Sequence, residues 1–134
     1  MTHVRLLALV FVVLVATVVR VAAQDPVPTG AFRAVHLVNL SPQQVAVLQA
    51  WMTDINAVID KAGHKDIRYR LYKVTGKQAG PYAYMWESVW PSGEVYRKIH
   101  ELPAWKAVAD KHSNLNAVLK DEIYNRYVEV PASR

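Results

Sequence analysis

The sequence predicts an α+β fold in which a four-stranded antiparallel sheet carries helices on one face. Three observations predict it. Strand-like and helix-periodic segments follow one another in the order strand, helix, strand, strand, helical region, strand. The long helix has a strong start signal at Ser41-Pro42-Gln43-Gln44. An aromatic segment between Tyr82 and Trp90 alternates with the period of two that a pleated strand requires.

Phe32 to Leu40 reads as the first strand, with Ala34, His36 and Val38 on one face and Val35, Leu37 and Asn39 on the other. Both faces are largely apolar, which places it centrally. Ser41 then caps a helix, Pro42 occupies its first turn and Gln44 reaches back. Val45, Leu48, Met52, Ile55 and Ile59 form its apolar stripe, and Gly63 stops it. Ile67 to Thr75 alternates Arg68 and Arg70 with Tyr69 and Leu71 and reads as a second strand, followed by a loop over Gly76 to Pro81. In the third strand Tyr82, Tyr84, Trp86, Ser88 and Trp90 share one face. Ala83, Met85 and Val89 share the other, the face expected to pack on helices. Gly93 to Leu102 is expected to be helical, Pro103 to open a second short helix, Leu115 to Tyr124 to form a third, and Arg126 to Val130 to form the last strand. This order is the split β-α-β repeat of a ferredoxin-like sheet. With the aromatic face left open, Tyr84, Trp86 and Trp90 together would exceed the apolar patch that a soluble monomer tolerates. Two subunits are therefore expected to pack through the open sheet face as a homodimer.

The N-terminus has a different character. Arg5 precedes an apolar run from Leu6 to Val19, and Val21-Ala22-Ala23 offers small residues for cleavage, so residues 1–23 read as a secretory signal. A retained membrane anchor is the alternative, although Arg20 would then fall within a short span. Residues 24–31, with Pro26, Pro28 and Gly30, read as a flexible lead, 32–130 as one domain and 131–134 as a tail. Removal of the signal leaves roughly 110 residues, enough for a single core. The chain is thus expected to work in the periplasm or as a secreted protein, off the membrane once cleaved. It has no cysteine, which excludes a disulfide framework and thiolate chemistry. Its net charge of +5 lies in short alternations without a basic face, so nucleic acid is not an expected partner.

Two segments carry a family resemblance. Tyr84-Met85-Trp86-Glu87-Ser88 is similar to the aromatic third strand, ending in Trp-Glu-Ser, of the dimeric α+β barrel superfamily. His100-Glu101-Leu102-Pro103-Ala104-Trp105-Lys106-Ala107-Val108 is similar to its His-x-x-(x)-Pro-x-aromatic helical segment, especially in domains resembling the antibiotic-biosynthesis monooxygenases. Element order extends the resemblance over Phe32 to Val130. The chain departs from the pattern by inserting Val89-Trp90-Pro91-Ser92-Gly93 before the helix and by bringing His100 one residue closer to its proline. The resemblance implies a cleft for a hydrophobic or aromatic small molecule and monooxygenase-like oxidation without a cofactor. The superfamily also contains haem-degrading enzymes and members without known activity, so a non-catalytic structural or binding dimer stands as the alternative.

His36 is the first candidate base, because a strand-borne imidazole titrates near working pH. A core or interface histidine is its bland alternative. His100 beside the Pro103 break is the second catalytic candidate, expected to orient or polarise a substrate. Tyr84 and Trp86 would form the apolar wall of the ligand site. Arg70 would contact a negative group, or else, with Arg68, pair with Glu87 or Glu129 on a neighbouring strand. His64 and His112 read as structural. No metal-ligand spacing is present, so no metal is expected. No cofactor is expected either; haem on His36 within an aromatic pocket is the alternative.

Overall fold

The computed structural model describes residues 26–77 and 80–133. The secretory signal expected over residues 1–23 lies outside them. Among the described residues, no helix is long and apolar enough to cross a membrane. The elements run β1 (Phe32–Val38), α1 (Pro42–Lys61), β2 (Arg70–Lys73), β3 (Tyr84–Trp90), α2 (Gly93–His100), α3 (Pro103–Lys111), α4 (Leu115–Val118) and β4 (Ile123–Tyr127). The sheet is antiparallel in the order β2-β3-β1-β4. This is the ferredoxin-like α+β fold expected from element order.

α1 forms as its sequence dictates. The Ser41 side chain accepts from the Gln44 N–H while the Gln44 side chain accepts from the Ser41 N–H, and Pro42 follows the cap. Leu48, Trp51, Met52, Ile55, Val58 and Ile59 are its buried residues. Trp51 widens the expected stripe and meets Trp86 at 5.7 Å, ring centre to ring centre. Gly63 takes φ +91°, the left-handed stop that glycine permits.

Which face of the sheet is covered reverses the expectation. Phe32 pairs with Trp90, Ala34 with Ser88, His36 with Trp86 and Val38 with Tyr84, and directly opposed residues share a face. Phe32, Ala34, Val38, Trp86 and Trp90 join α1 in the buried core, so the aromatic face packs under the helices. The open face instead carries Arg33, Val35, Leu37, Tyr72, Met85, Glu87, Val89, Ile123 and Tyr127. The reason is area: burying indole rings removes far more apolar surface from water than burying Ala83 or Val89 would. Ser88 also accepts from the Trp90 indole N–H at 2.8 Å, which meets a donor that would otherwise be buried unsatisfied.

All four strands differ in extent from the sequence reading, β2 and β4 the most. β2 begins only at Arg70 because the Asn56 side chain of α1 takes both backbone groups of Tyr69. Its Oδ1 accepts from the Tyr69 N–H at 2.9 Å, and its Nδ2 donates to the Tyr69 carbonyl at 3.2 Å. The helix expected over Leu115 to Tyr124 is a single turn. Leu115 and Leu119 suggest that it continues to Ile123, but the charged Lys120-Asp121-Glu122 supplies no apolar contact, and the β-favouring Ile123–Tyr127 pairs with β1 instead. The last strand therefore starts three residues earlier than the expected Arg126.

The N-terminal lead is not loose where it is described. Val27 packs against the core, and the Gly93 N–H donates to the Thr29 carbonyl at 3.3 Å. A Cβ on Gly93 would overlap the Pro28 carbonyl oxygen, so the close approach of lead and helix requires glycine. Gly93→Ala is expected to destabilise the domain by about 1–3 kcal/mol through forced backbone displacement, read as a lower midpoint in urea unfolding; an unchanged midpoint would show that the lead does not dock there.

Candidate functional site

β1 and β4 build the site together. In their register His36 lies opposite Tyr124 and Ala34 opposite Arg126, so Tyr124 and Arg126 share the helix-covered face with His36. His36 lies flat against Trp86, with ring centres 3.5 Å apart and planes 11° from parallel, and its ring centre is 4.5 Å from that of Tyr124. Its Nδ1 is 2.8 Å from Glu122 Oε2. A carboxylate only accepts, so Nδ1 carries the donated proton and the neutral ring keeps its lone pair on Nε2. That is the tautomer of a general base held from behind by an acid. Solvent approaches from the β4 side: Tyr124 is 38% exposed and Trp86 only 4%. Among the described residues the buried Trp86 indole nitrogen has no acceptor.

His100 closes the other end. Its Nδ1 donates to the Tyr96 carbonyl at 2.7 Å, and its ring lies against Tyr96 (3.8 Å) and Trp105 (3.9 Å). Burial lowers its pKa to about 4, with a further push from the Arg126 cation against the raising effect of the Tyr96 carbonyl. His100 is thus neutral near pH 7, and with its single N–H committed it can only accept a hydrogen bond there. Arg126 donates from Nε to the Tyr124 hydroxyl at 2.7 Å and lies over the Tyr96 and Tyr124 rings. Burial, with Tyr96 nearby, raises the Tyr124 phenol above its ordinary value, so Tyr124 stays protonated.

No protein-family model and no curated protein sequence matches the chain. Solved structures do. A dimeric ferredoxin-like protein of unknown function from Thermobifida fusca superposes with a TM-score of 0.53 at 16% identity, covering 75% of this chain and 92% of that one. A candidate antibiotic biosynthesis monooxygenase from Caulobacter crescentus gives 0.53 at 15% identity over 78% and 94%. A DABB family protein with a ferredoxin-like fold from Mesorhizobium loti gives 0.52 at 10% identity over 76% and 99%. The chain has the ferredoxin-like fold of these proteins.

Within that fold the expected site residues divide. The aromatic cluster links His36 and Trp86 to His100 through Tyr69 and Trp105, and Tyr84 lies on the same face of β3. Arg70 does not belong to it. It is exposed opposite Glu87, on the open face, because the pleat turns it away from Leu71 and Trp86. Nor do Arg68 and Arg70 hold Glu87: Arg68 pairs with Asp60 at 2.7 Å, and Glu87 is held by Arg33 at 3.1 Å and by the Tyr72 hydroxyl at 3.2 Å. His112 is structural, bonding Asp54 at 2.7 Å together with Lys111 and so tying the end of α3 to α1. The sequence reading missed Glu122, Tyr124 and Arg126, which the expected helix had drawn out of the sheet. The signal that could have placed them is the β-rich Ile123-Tyr124-Asn125-Arg126-Tyr127. The haem alternative finds no fit. The rings that would line its pocket pack on one another, Trp86 against His36, Trp51 and Tyr69, leaving no aromatic slot for a porphyrin.

The low pKa of His100 has a consequence for stability. Its folded value of about 4 lies below the ordinary 6.5, so the unfolded chain takes up the proton first as pH falls. The stabilising contribution is whole above pH 6.5 and is lost as pH falls toward 4. Urea unfolding between those limits is expected to show a loss of up to about 3 kcal/mol that His100→Phe flattens; the same slope in both proteins would assign the loss to other groups.

Proposed function

We propose that the protein is an exported homodimer in which each subunit binds a hydrophobic or aromatic small molecule beside Trp86 and Tyr124 and removes a proton from it through His36. The observation that carries this reading is the 2.8 Å bond between His36 Nδ1 and Glu122 within an aromatic cluster. Glu122 fixes the tautomer and stabilises the imidazolium formed when Nε2 takes the proton. His100 accepts a hydrogen bond from a hydroxyl of the bound molecule, and Tyr124, the exposed ring beside His36, supplies the wall. The electron-rich anion left behind is suited to direct reaction with dioxygen, the chemistry of a cofactor-independent monooxygenase. The candidate monooxygenase from Caulobacter crescentus shares the fold and is consistent with that class.

The homodimer is supported by the open sheet face. Tyr72, Val89, Ile123 and Tyr127 are 40–51% exposed there, and Val35, Leu37 and Met85 lie between them. A patch of that kind calls for a cover, and the Thermobifida fusca protein of this fold is dimeric. Export rests on the apolar N-terminal segment, and chains recovered outside the cytoplasm should begin near Gln24.

A non-catalytic binding dimer is the second reading, favoured by the flat 3.5 Å contact that makes His36 part of the packing. One experiment separates the two. Tryptophan fluorescence quenching by 1-naphthol reports binding, and oxygen uptake reports turnover. The enzymatic reading expects His36→Gln to retain binding and lower uptake by about 10²–10⁴-fold, with Glu122→Gln costing about 10–100-fold. Uptake that is absent in the unsubstituted protein, or insensitive to both substitutions, would leave only the binding dimer.

A further inference from the structure

We propose that a hollow at one end of the open sheet face binds a free α-amino acid with an apolar side chain, its carboxylate on Arg33 and its ammonium on Glu129. The site lies apart from the His36 cluster and does not depend on the reading of His36 as a base.

The hollow follows from the strand register and from one small side chain. β1 begins there, and β3 and β4 end there. Arg33 stands opposite Val89 on one side and Tyr127 on the other, so the three share the open face. Ala31, just before β1, lines the same space with only a methyl group and leaves it unfilled. The result is a cavity of about 370 Å³ with Arg33, Val89, Tyr127 and Glu129 around it. That volume is on the scale of a small-molecule site.

The lining dictates the ligand. Arg33 and Glu129 bring opposite charges to one hollow. The sole partner of Arg33 among the described residues is Glu87, through an ion-pair contact at 3.1 Å that engages no N–H in a hydrogen bond. With the side chain 55% exposed, its planar fork of donors is available to a second carboxylate. Glu129 is exposed and has no ion pair or hydrogen bond among the described residues, so its carboxylate can accept from an ammonium. It lies two residues beyond Tyr127, the residue opposite Arg33, which sets the two backbone positions about 8 Å apart. Two side chains of that length can close on charges carried by a single carbon. A simple acid would set its carboxylate beside Glu129, and a simple amine would meet the Arg33 cation; a molecule with both charges satisfies both residues. Val89 and the Tyr127 ring, both exposed, remain for its apolar side chain. Two subunits packed on Val35, Leu37 and Met85 would hold the hollow at the rim of their contact, where polar groups belong.

The probe is L-phenylalanine, titrated calorimetrically into the protein. It is compared with N-acetyl-L-phenylalanine, which lacks the ammonium, and with L-phenylalaninamide, which lacks the carboxylate. L-Phenylalanine is expected to bind saturably and each analogue about tenfold more weakly or worse, the loss of one charge-assisted hydrogen-bonded contact. Arg33→Gln should abolish the preference over the amide, and Glu129→Gln the preference over the N-acetyl form. Should Arg33→Gln fail to fold, the two analogues and the exposed Glu129→Gln carry the test. Absence of L-phenylalanine binding to the unsubstituted protein, equal binding of either analogue, or a preference that persists in the folded variant of its matching residue would each overturn the assignment.

Discussion

The register between β1 and β3 is the constraint on which the rest of the structure depends. It sets His36 against Trp86, Ala34 against Ser88 and Phe32 against Trp90, and so assigns every side chain of the two central strands to a face. A slip of β1 by one residue against β3 would carry Phe32, Ala34 and His36 to the open side and bring Arg33 and Val35 under α1. That alternative is costly, because it would bury the Arg33 charge among apolar groups and part it from Glu87. The observed register keeps the wide aromatic groups beneath the helices and leaves the ionic groups where solvent or a second subunit can meet them.

Polar chemistry is consequently divided between the two faces. On the covered face, the principal hydrogen bonds fix ring nitrogens: Glu122 on His36, the Tyr96 carbonyl on His100, Ser88 on Trp90. Both histidines are held at Nδ1, and their second nitrogens belong to a cluster whose other members are aromatic rings and one cation. On the open face, Glu87 is buried between Arg33 and the Tyr72 hydroxyl. Arg33 Nη1 reaches Glu87 Oε2 at 3.1 Å without the alignment of a hydrogen bond, so the contact is an ion pair. With the Arg33 side chain 55% exposed it contributes little to stability. Its position in the middle of an apolar face makes it a marker of how two such faces would be aligned.

The architecture was legible in the sequence where one local signal determined one local outcome. Ser41, Pro42 and Gln44 specify the start of α1, and the strand-like runs specify all four strands in their correct order, the last displaced by three residues. Alternation identified Tyr84, Trp86, Ser88 and Trp90 as one face of β3, but a period of two is symmetric between the faces and does not say which is inward. That choice is made by long-range packing against Leu48, Trp51 and Ile55 of α1. The site was legible in part for the same reason. His36, Trp86 and His100 carry recognisable chemistry in isolation, whereas Glu122, Tyr124 and Arg126 become significant only once β4 pairs with β1. Leu115, Leu119 and Ile123, four residues apart, imitate a helix, and strand pairing prevails over that local pattern. Arg70 failed as a ligand residue because strand direction turned it to the other face.

The central claim is that Glu122 holds His36 from behind as a base with its lone pair on Nε2. Long-range ¹H–¹⁵N correlation spectra of the histidine rings test this most directly, with assignment by His36→Gln. The account predicts that neutral His36 carries its proton on Nδ1 and that Glu122→Gln weakens this preference. A neutral His36 protonated on Nε2, with Nδ1 bare, would contradict it.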